Sequence, residues 1–558
     1  MRPTHFALFH TNILFLTISR FCHQDDIFKC LLVNSSWTKI VVRVLWNAPI
    51  WRTKKSYQKF LSSLIKPKTK YSYGEFVEKL IFTTHPTISS FPFTIQSLDL
   101  ISERCVNTKF LVFDCQKSIS LDYNDHFPPE VLSMFLTRCS KLIYLKGPRF
   151  TTVDWMISAL RPIQQGSCPN LKSLIMSWDW RDSSLNNLLH DIGSRCQQIT
   201  TLNITTDIND QRTAKIIVDS FPLLEKFSCL TINYLSLRVI INGCRHLNFM
   251  KFEFSPELND DWALTLANSF PSLNSFILIR GWLNLPKFFK AWAINQKKLR
   301  HIEFLDYSHL SFEMLQPIIQ LCTNLESIKL GNCDRITDSS ITYLAKHRGR
   351  NLKYLSLHYA NEITDIGINS ISEHCRFLQT LNIFECPKIT ADSIINIIKR
   401  CRFLVELSGN YSVTMISPII KSIISIGSPK LEIFSHSLLS LNISQIIRTV
   451  NSSTLEKLGR NLPKLRKFDI RYPIKGINPK KFMKAFLNFP QLEKLCIVPP
   501  PNLKRKHIKI LESHPRLKEI WFLTHENSKV EQYVRERSNA NVIGVHIILG
   551  ILYSEEEL

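Results

Sequence analysis

The chain has 558 residues, 44% of them hydrophobic and 21% charged, an ordinary globular balance that excludes intrinsic disorder. Glycine is scarce, at 15 residues beside 26 prolines, which excludes collagen-like and low-complexity sequence and argues against glycine-rich phosphate loops. Lys and Arg number 70 against 46 Asp and Glu, a net charge of +24; this favours acidic partners, but the basic residues are spread along the whole length and read as solvated surface rather than as a nucleic-acid site.

Residues 1–50 form the first block. The segment Phe6–Phe21 reads as an amphipathic helix and not as a signal peptide, because His10, Thr11 and Asn12 interrupt its apolar run and no small-residue cleavage site follows. Asp25 or Asp26 is placed to cap a second helix. Apolar residues at 27, 30, 31, 33, 37, 40, 41, 44 and 45 then fit short amphipathic helices. Such a block is too short to bury a large core, so an apolar stripe is left for a partner.

The block resembles an F-box. Ile13, Leu14 and Ile18 match the family's first helix, Cys30, Val33 and Trp37 its "Cys-x-x-Val-x-x-x-Trp" helix, and Leu45-Trp46 its closing pair. Phe9-His10 stands where the family has Leu-Pro. The resemblance implies docking onto the Skp-family adaptor of a cullin–RING ubiquitin ligase. The adaptor-facing residues would be Phe9, His10, Ile13, Leu14, Ile27, Cys30, Val33, Trp37, Leu45 and Trp46.

Residues 51–104 read as a basic junction: a helix over 57–65, a loop with Lys66, Lys68 and Lys70, and an irregular first repeat at Glu78–Phe82. A partial unit surrounds Cys105 to Phe113. From there to about residue 525 one phrase dominates, "Cys-x-x-Leu-x-x-Leu-x-Leu". Its clearest copies start at Cys168, Cys244, Cys322, Cys375 and Cys401, with weaker copies at Phe221, Phe270, Phe489 and His514. The first apolar residue of each copy falls at 142, 171, 199, 224, 247, 273, 299, 325, 352, 378, 404, 431, 465, 492 and 517, a step of about 27, within the 20–29 residues of leucine-rich repeats. The phrase ends in the alternation of a strand. The other half of each unit, as in Ile336-Thr-Asp338-Ser-Ser-Ile341, carries Thr337 or Asp338 to cap a helix of three- and four-residue apolar spacing.

These units resemble the cysteine-containing, ribonuclease-inhibitor-like leucine-rich repeats, most closely from Leu325 to Cys401. The expected fold is an α/β right-handed solenoid (horseshoe) with a concave parallel sheet and convex helices, preceded by the small all-helical block. Residues 526–558 read as a C-terminal cap ending in Glu555-Glu556-Glu557.

Because strand side chains alternate, residues between the core leucines line the concave face. Trp178, Lys251, Glu303, Lys329, Tyr354, Ser356, His358, Asn382 and Phe384 are the expected protein-substrate contacts. No catalytic motif is found, neither HExxH nor Gly-x-Ser-x-Gly, and His301 with Glu303 is too small a set for a metal. The chain is therefore read as a non-enzyme without metal or cofactor. No apolar run reaches 18 residues, so no membrane span is expected. The 15 cysteines without a Cys-x-x-Cys pair suit a reducing compartment, cytoplasmic or nuclear. Substrate recognition for a Skp–cullin–F-box ligase is the expectation, and a repeat scaffold without a ligase role the alternative.

Overall fold

A computed structural model of the chain describes residues 35–49, 54–65, 71–84, 94–115, 129–150, 152–178, 184–254, 260–280, 286–409, 440–443, 452–461, 465–470, 478–497, 503–517, 519–524 and 544–549. It divides into two compact units, residues 1–207 with 212–228, and residues 208–211 with 229–558.

Among the described residues, the first unit opens with helices α1 (Ser35–Asn47) and α2 (Lys54–Ile65), followed by strands β1 (Lys79–Thr84), β2 (Phe110–Cys115), β3 (Tyr144–Phe150), β4 (Ser173–Trp178), β5 (Thr201–Ile204) and β6 (Lys226–Ile232). Each strand is parallel to its predecessor. The second unit continues with β7 (Phe249–Phe254), β8 (Ser275–Ile279), β9 (His301–Leu305), β10 (Ser327–Gly331), β11 (Tyr354–Ser356), β12 (Thr380–Ile383), β13 (Glu406–Gly409), β14 (Ser440–Ile443), β15 (Lys467–Ile470), β16 (Lys494–Ile497), β17 (Glu519–Thr524) and β18 (Gly544–Leu549). These twelve are also paired in parallel and in sequence order. Parallel neighbours need a crossover, and through most of both units a helix of about ten residues supplies it. Both units are leucine-rich-repeat coils.

The repeat anchors carry this geometry. All fourteen that fall on described residues are buried, from Leu142 to Leu517, each contributing roughly 1.5–3 kcal/mol of apolar burial. Leu431 lies outside the described residues. The repeats begin earlier than the regular phrase. Val77 and Thr108 are buried at anchor positions. Thr108 replaces the leucine and satisfies its hydroxyl by donating to the Cys105 carbonyl at 2.7 Å.

Successive units are joined by a recurrent backbone device. The N–H groups of Lys353 and Tyr354 both donate to the Glu326 carbonyl (2.8 and 3.1 Å), those of Gln379 and Thr380 to Lys353 (2.7 and 3.0 Å), and those of Val405 and Glu406 to Gln379 (2.7 and 2.9 Å). Beyond the strands comes a second device that the sequence did not announce. Arg280, Asp306, Asn332, Tyr359 and Glu385 all adopt left-handed backbone, with φ between 50° and 57°. For residues with a Cβ this costs on the order of 1–2 kcal/mol each. The first four each donate N–H to a carbonyl of the next unit, Asp306 to Gly331 (2.9 Å) and Tyr359 to Phe384 (2.9 Å) among them.

The helix starts also differ from expectation. Thr337 makes no side-chain cap to its own helix Asp338–Arg348. Asp338 reaches into the next unit instead. One carboxylate oxygen accepts from the N–H groups of Thr364 and Gly367 (2.9 and 3.0 Å) and the other from the Thr364 hydroxyl. Asp365 repeats the arrangement on Thr390, accepting its N–H at 2.8 Å. The Thr-Asp dipeptide is thus a clamp between repeats. Replacing Asp338 by Ala orphans these donors and should cost about 1–3 kcal/mol, read as a lower urea midpoint with an unchanged transition slope.

Candidate functional site

The open face of the second unit's sheet presents one continuous row. Strand register aligns Lys251 with Ile277, then Glu303, Lys329, Ser356 and Asn382. Five of the residues expected on this face therefore fall on one line across neighbouring strands. Tyr354 belongs to the adjacent line, with His301 and Ser327. His358 and Phe384 follow the ends of their strands. Trp178 ends β4 in the first unit, where it pairs with Phe150.

The densest chemistry spans β9, β10 and β11. Glu303 receives Lys329 Nζ at 2.8 Å on one carboxylate oxygen, and His301 Nε2 stands 3.6 Å from the other. Nδ1 of His301 lies 2.7 Å from the Ser327 hydroxyl. Burial alone would raise the Glu303 carboxyl, but hydrogen bonds from His301 and Lys329 and the Lys329 charge outweigh it and hold its pKa at about 2. His358 is lowered, first by burial and then by the Lys329 charge. Its ring fits because residue 331 is glycine: a Cβ there would lie 2.0 Å from the ring. Asp306 and Asn332 border this cluster, joined side chain to side chain at 3.0 Å.

Ser356 lies in the row but is wholly covered, so it does not line the face. Its side chain is too short to emerge beside longer neighbours, and its hydroxyl sits 3.5 Å from Nδ1 of His358. Asn382 is turned partly inward, accepting the Phe384 N–H at 3.1 Å. Phe384 meets Tyr359 edge-on, with ring centroids 6.2 Å apart. Sequence reading omitted Ser327, Asp306, Asn332 and Tyr359. Aligning the repeats one above another at their spacing of 26 or 27 residues would have placed all four beside the residues it named.

Of the adaptor-facing residues, Phe9, His10, Ile13, Leu14, Ile27, Cys30 and Val33 lie outside the described residues. Trp37 lies in α1, one turn before Ile40 and two before Val44. Val41 and Val42 on this helix are buried, whereas Ile40, Val44 and Leu45 remain half-exposed. Trp46 is engaged within the chain, stacked on Tyr73 (4.4 Å) and Phe60 (5.6 Å). Arg43 pairs with Glu78 at 3.3 Å, and the Asn47 carbonyl accepts the Glu78 N–H at 2.9 Å. The helix is thereby fastened to the start of the repeats by packing, charge and backbone together.

Among the described residues, no group of three or more His, Cys, Asp or Glu is arranged to hold a metal, and no helix is long and apolar enough to cross a membrane. Twelve cysteines are described, and all are buried. Several donate to a carbonyl of a preceding repeat, as Cys196 does to Cys168 and Cys168 to Leu136, each at 3.3 Å. Burial pushes the thiols of Cys168, Cys322 and Cys401 up to about 12, which suits them to packing and not to nucleophilic chemistry.

The fold and its open strand face define a leucine-rich-repeat protein. No family model matches the chain. Its sequence is 24% identical over 161 residues to F-box/LRR-repeat protein 4 of Bos taurus, a match covering 24% of this chain and 26% of that protein. The chain thus spans about a quarter of the length of this relative. Among solved structures, the yeast Rad7–Elc1 complex is similar at 16% identity and a TM-score of 0.40, covering 66% of this chain and 88% of the other. A leucine-rich-repeat protein of Leptospira interrogans is similar at 13% identity and a TM-score of 0.27, covering 82% and 93%. The repeat geometry itself carries the fold assignment.

Two outcomes are expected. Glu303 has a depressed folded pKa, so its stabilisation is present above the unfolded value near 4.5 and is lost as pH falls toward about 2. Glu303→Gln should therefore lower the unfolding free energy at pH 7 by at most about 3 kcal/mol, read from urea titrations, with the deficit closing progressively below pH 4.5; a deficit that stayed constant would contradict this. Native protein treated with iodoacetamide at pH 8 should leave Cys168, Cys322 and Cys401 unmodified, and unfolding in urea should expose all three, as read by peptide mass spectrometry.

Proposed function

We propose that this chain is the substrate-recognition subunit of a Skp–cullin–F-box type ubiquitin ligase. The N-terminal block binds a Skp-family adaptor, and through it a cullin, while the open strand face holds a target protein. The observation that carries the reading is helix α1. Trp46, Arg43 and the Asn47 carbonyl fasten it to the start of the repeats, yet Ile40, Val44 and Leu45 stay partly exposed, so the helix both anchors to the coil and keeps apolar surface for a partner. Kinship with F-box/LRR-repeat protein 4 supports the same reading. The row containing Lys251, Glu303, Lys329 and Asn382, flanked by Tyr354 and Phe384, mixes charge with aromatic surface, as protein recognition requires.

A second reading, a repeat scaffold with no ligase role, draws on Trp46. Its stacking on Tyr73 and Phe60 would serve equally in a terminal cap that shields the coil.

Co-purification of the full chain with a Skp-family adaptor separates the two. The wild type should retain the adaptor, while Trp37→Asp and Ile40→Asp should lose it with the circular-dichroism spectrum unchanged. Failure of the wild type to retain the adaptor, alongside a binding F-box control, would leave the scaffold.

A further inference from the structure

We propose a second protein-docking surface, on the loops that lead from helix to strand just before β11, β12 and β13. It takes an extended acidic segment of a partner protein that carries an aromatic side chain. This surface is separate from the strand face and does not depend on the ligase reading.

The three stretches 346–353, 372–379 and 398–405 each run from the last helical turn through the loop to the strand. Together they hold eight Lys or Arg and one acid, Glu373. Glu373 is already paired with Arg400 at 3.2 Å, Lys353 with Glu326 at 2.8 Å, and Arg348 is spent on the carbonyls of Ile319 and Gln320. Arg350, Arg376 and Arg402 occupy one equivalent place, two residues before the anchors Leu352, Leu378 and Leu404, and all three are exposed. Neighbouring parallel strands lie about 4.8 Å apart, so the repeat sets these guanidinium-bearing residues in a line. An arginine fork matches a carboxylate better than any other side chain does.

The next position sharpens the assignment. In the preceding units it holds Asn324 and Asn351, whose amides brace the loops by donating to the carbonyls of Lys297 (2.7 Å) and Thr323 (2.9 Å). In the following units it holds Phe377 and Phe403, which replace a bracing amide by a ring. The rings are 51% and 53% exposed and stack on one another at 5.4 Å and 27°. Paired aromatics held in water beside a cation row form an anchor for a partner's apolar side chain. Their inner faces are closed by their own contact, so no slot remains for a nucleic-acid base to insert between them. The combination selects an acidic peptide over a single-stranded oligonucleotide.

The test uses the full-length protein and fluorescence anisotropy at about 0.15 M salt, where non-specific attraction is screened. The probes are a short labelled peptide of alternating Glu and Ser with a central Trp, the same peptide with Ala for Trp, and an oligothymidylate. The Trp peptide should bind about tenfold more tightly than the Ala peptide, a difference of about 1.4 kcal/mol. The double variant Phe377→Ser/Phe403→Ser should abolish that difference. Arg376→Ser/Arg402→Ser should weaken both peptides, whereas Lys480→Glu/Lys481→Glu should leave both unchanged. Equal binding of the two peptides by the wild type, tighter binding of the oligonucleotide, or no binding at all would overturn the proposal without recourse to any variant. Indifference to the phenylalanine substitutions would overturn it as well.

Discussion

One strand and one helix cannot bury a core or satisfy their own backbone. Every unit of this chain is therefore completed by the next. The paired N–H groups that enter each strand converge on a single carbonyl of the preceding unit, as Lys353 and Tyr354 do on Glu326, while the anchor leucine between helix and strand is sealed from water. The rest of the architecture depends on this coupling. It sets the spacing of the repeats, the parallel order of the strands and the row of side chains that faces outward. Cohesion of this kind is nearest-neighbour in character, so each interface must be closed separately along the chain.

Polar side chains do part of this closing. Asp338 and Asp365 each cap the following helix start, and buried thiols such as Cys196 donate across to a carbonyl of a preceding repeat. Four of the left-handed turns after β8 to β11 accept backbone strain and recover a hydrogen bond to the next unit. With the interior closed by these means, the longer side chains of the outward row remain at the surface. There the Glu303 carboxylate is held ionised between His301 and Lys329. A preorganised charge of this kind suits a binding face, because little of its order must be created when a partner arrives.

Helix α1, the described part of the N-terminal block, is joined to the start of the repeats. Trp46 is built into the seam with Tyr73 and Phe60, and the Arg43–Glu78 pair crosses from the helix to the first strand region. Fastened in this way, the helix holds a fixed place against the first repeats. A flexible tether would not do this.

The period of about 27, the leucine anchors and the strand alternation were legible from residue order alone, because burial of one face writes itself into sequence as periodicity. The same periodicity named Lys251, Glu303, Lys329 and Asn382 for the open face. It placed the first repeats at Glu78–Phe82 and Cys105–Phe113 but not their anchors, because Val77 and Thr108 stand in for leucine. Tertiary structure alone decided that Asp338 caps its neighbour and not itself, that Ser356 is covered, and that Phe377 and Phe403 meet. Each of these joins residues from different repeats or depends on the reach of neighbouring side chains. A linear chain specifies which residues are apolar, but only the stacking of one coil on the next determines which polar groups come within reach.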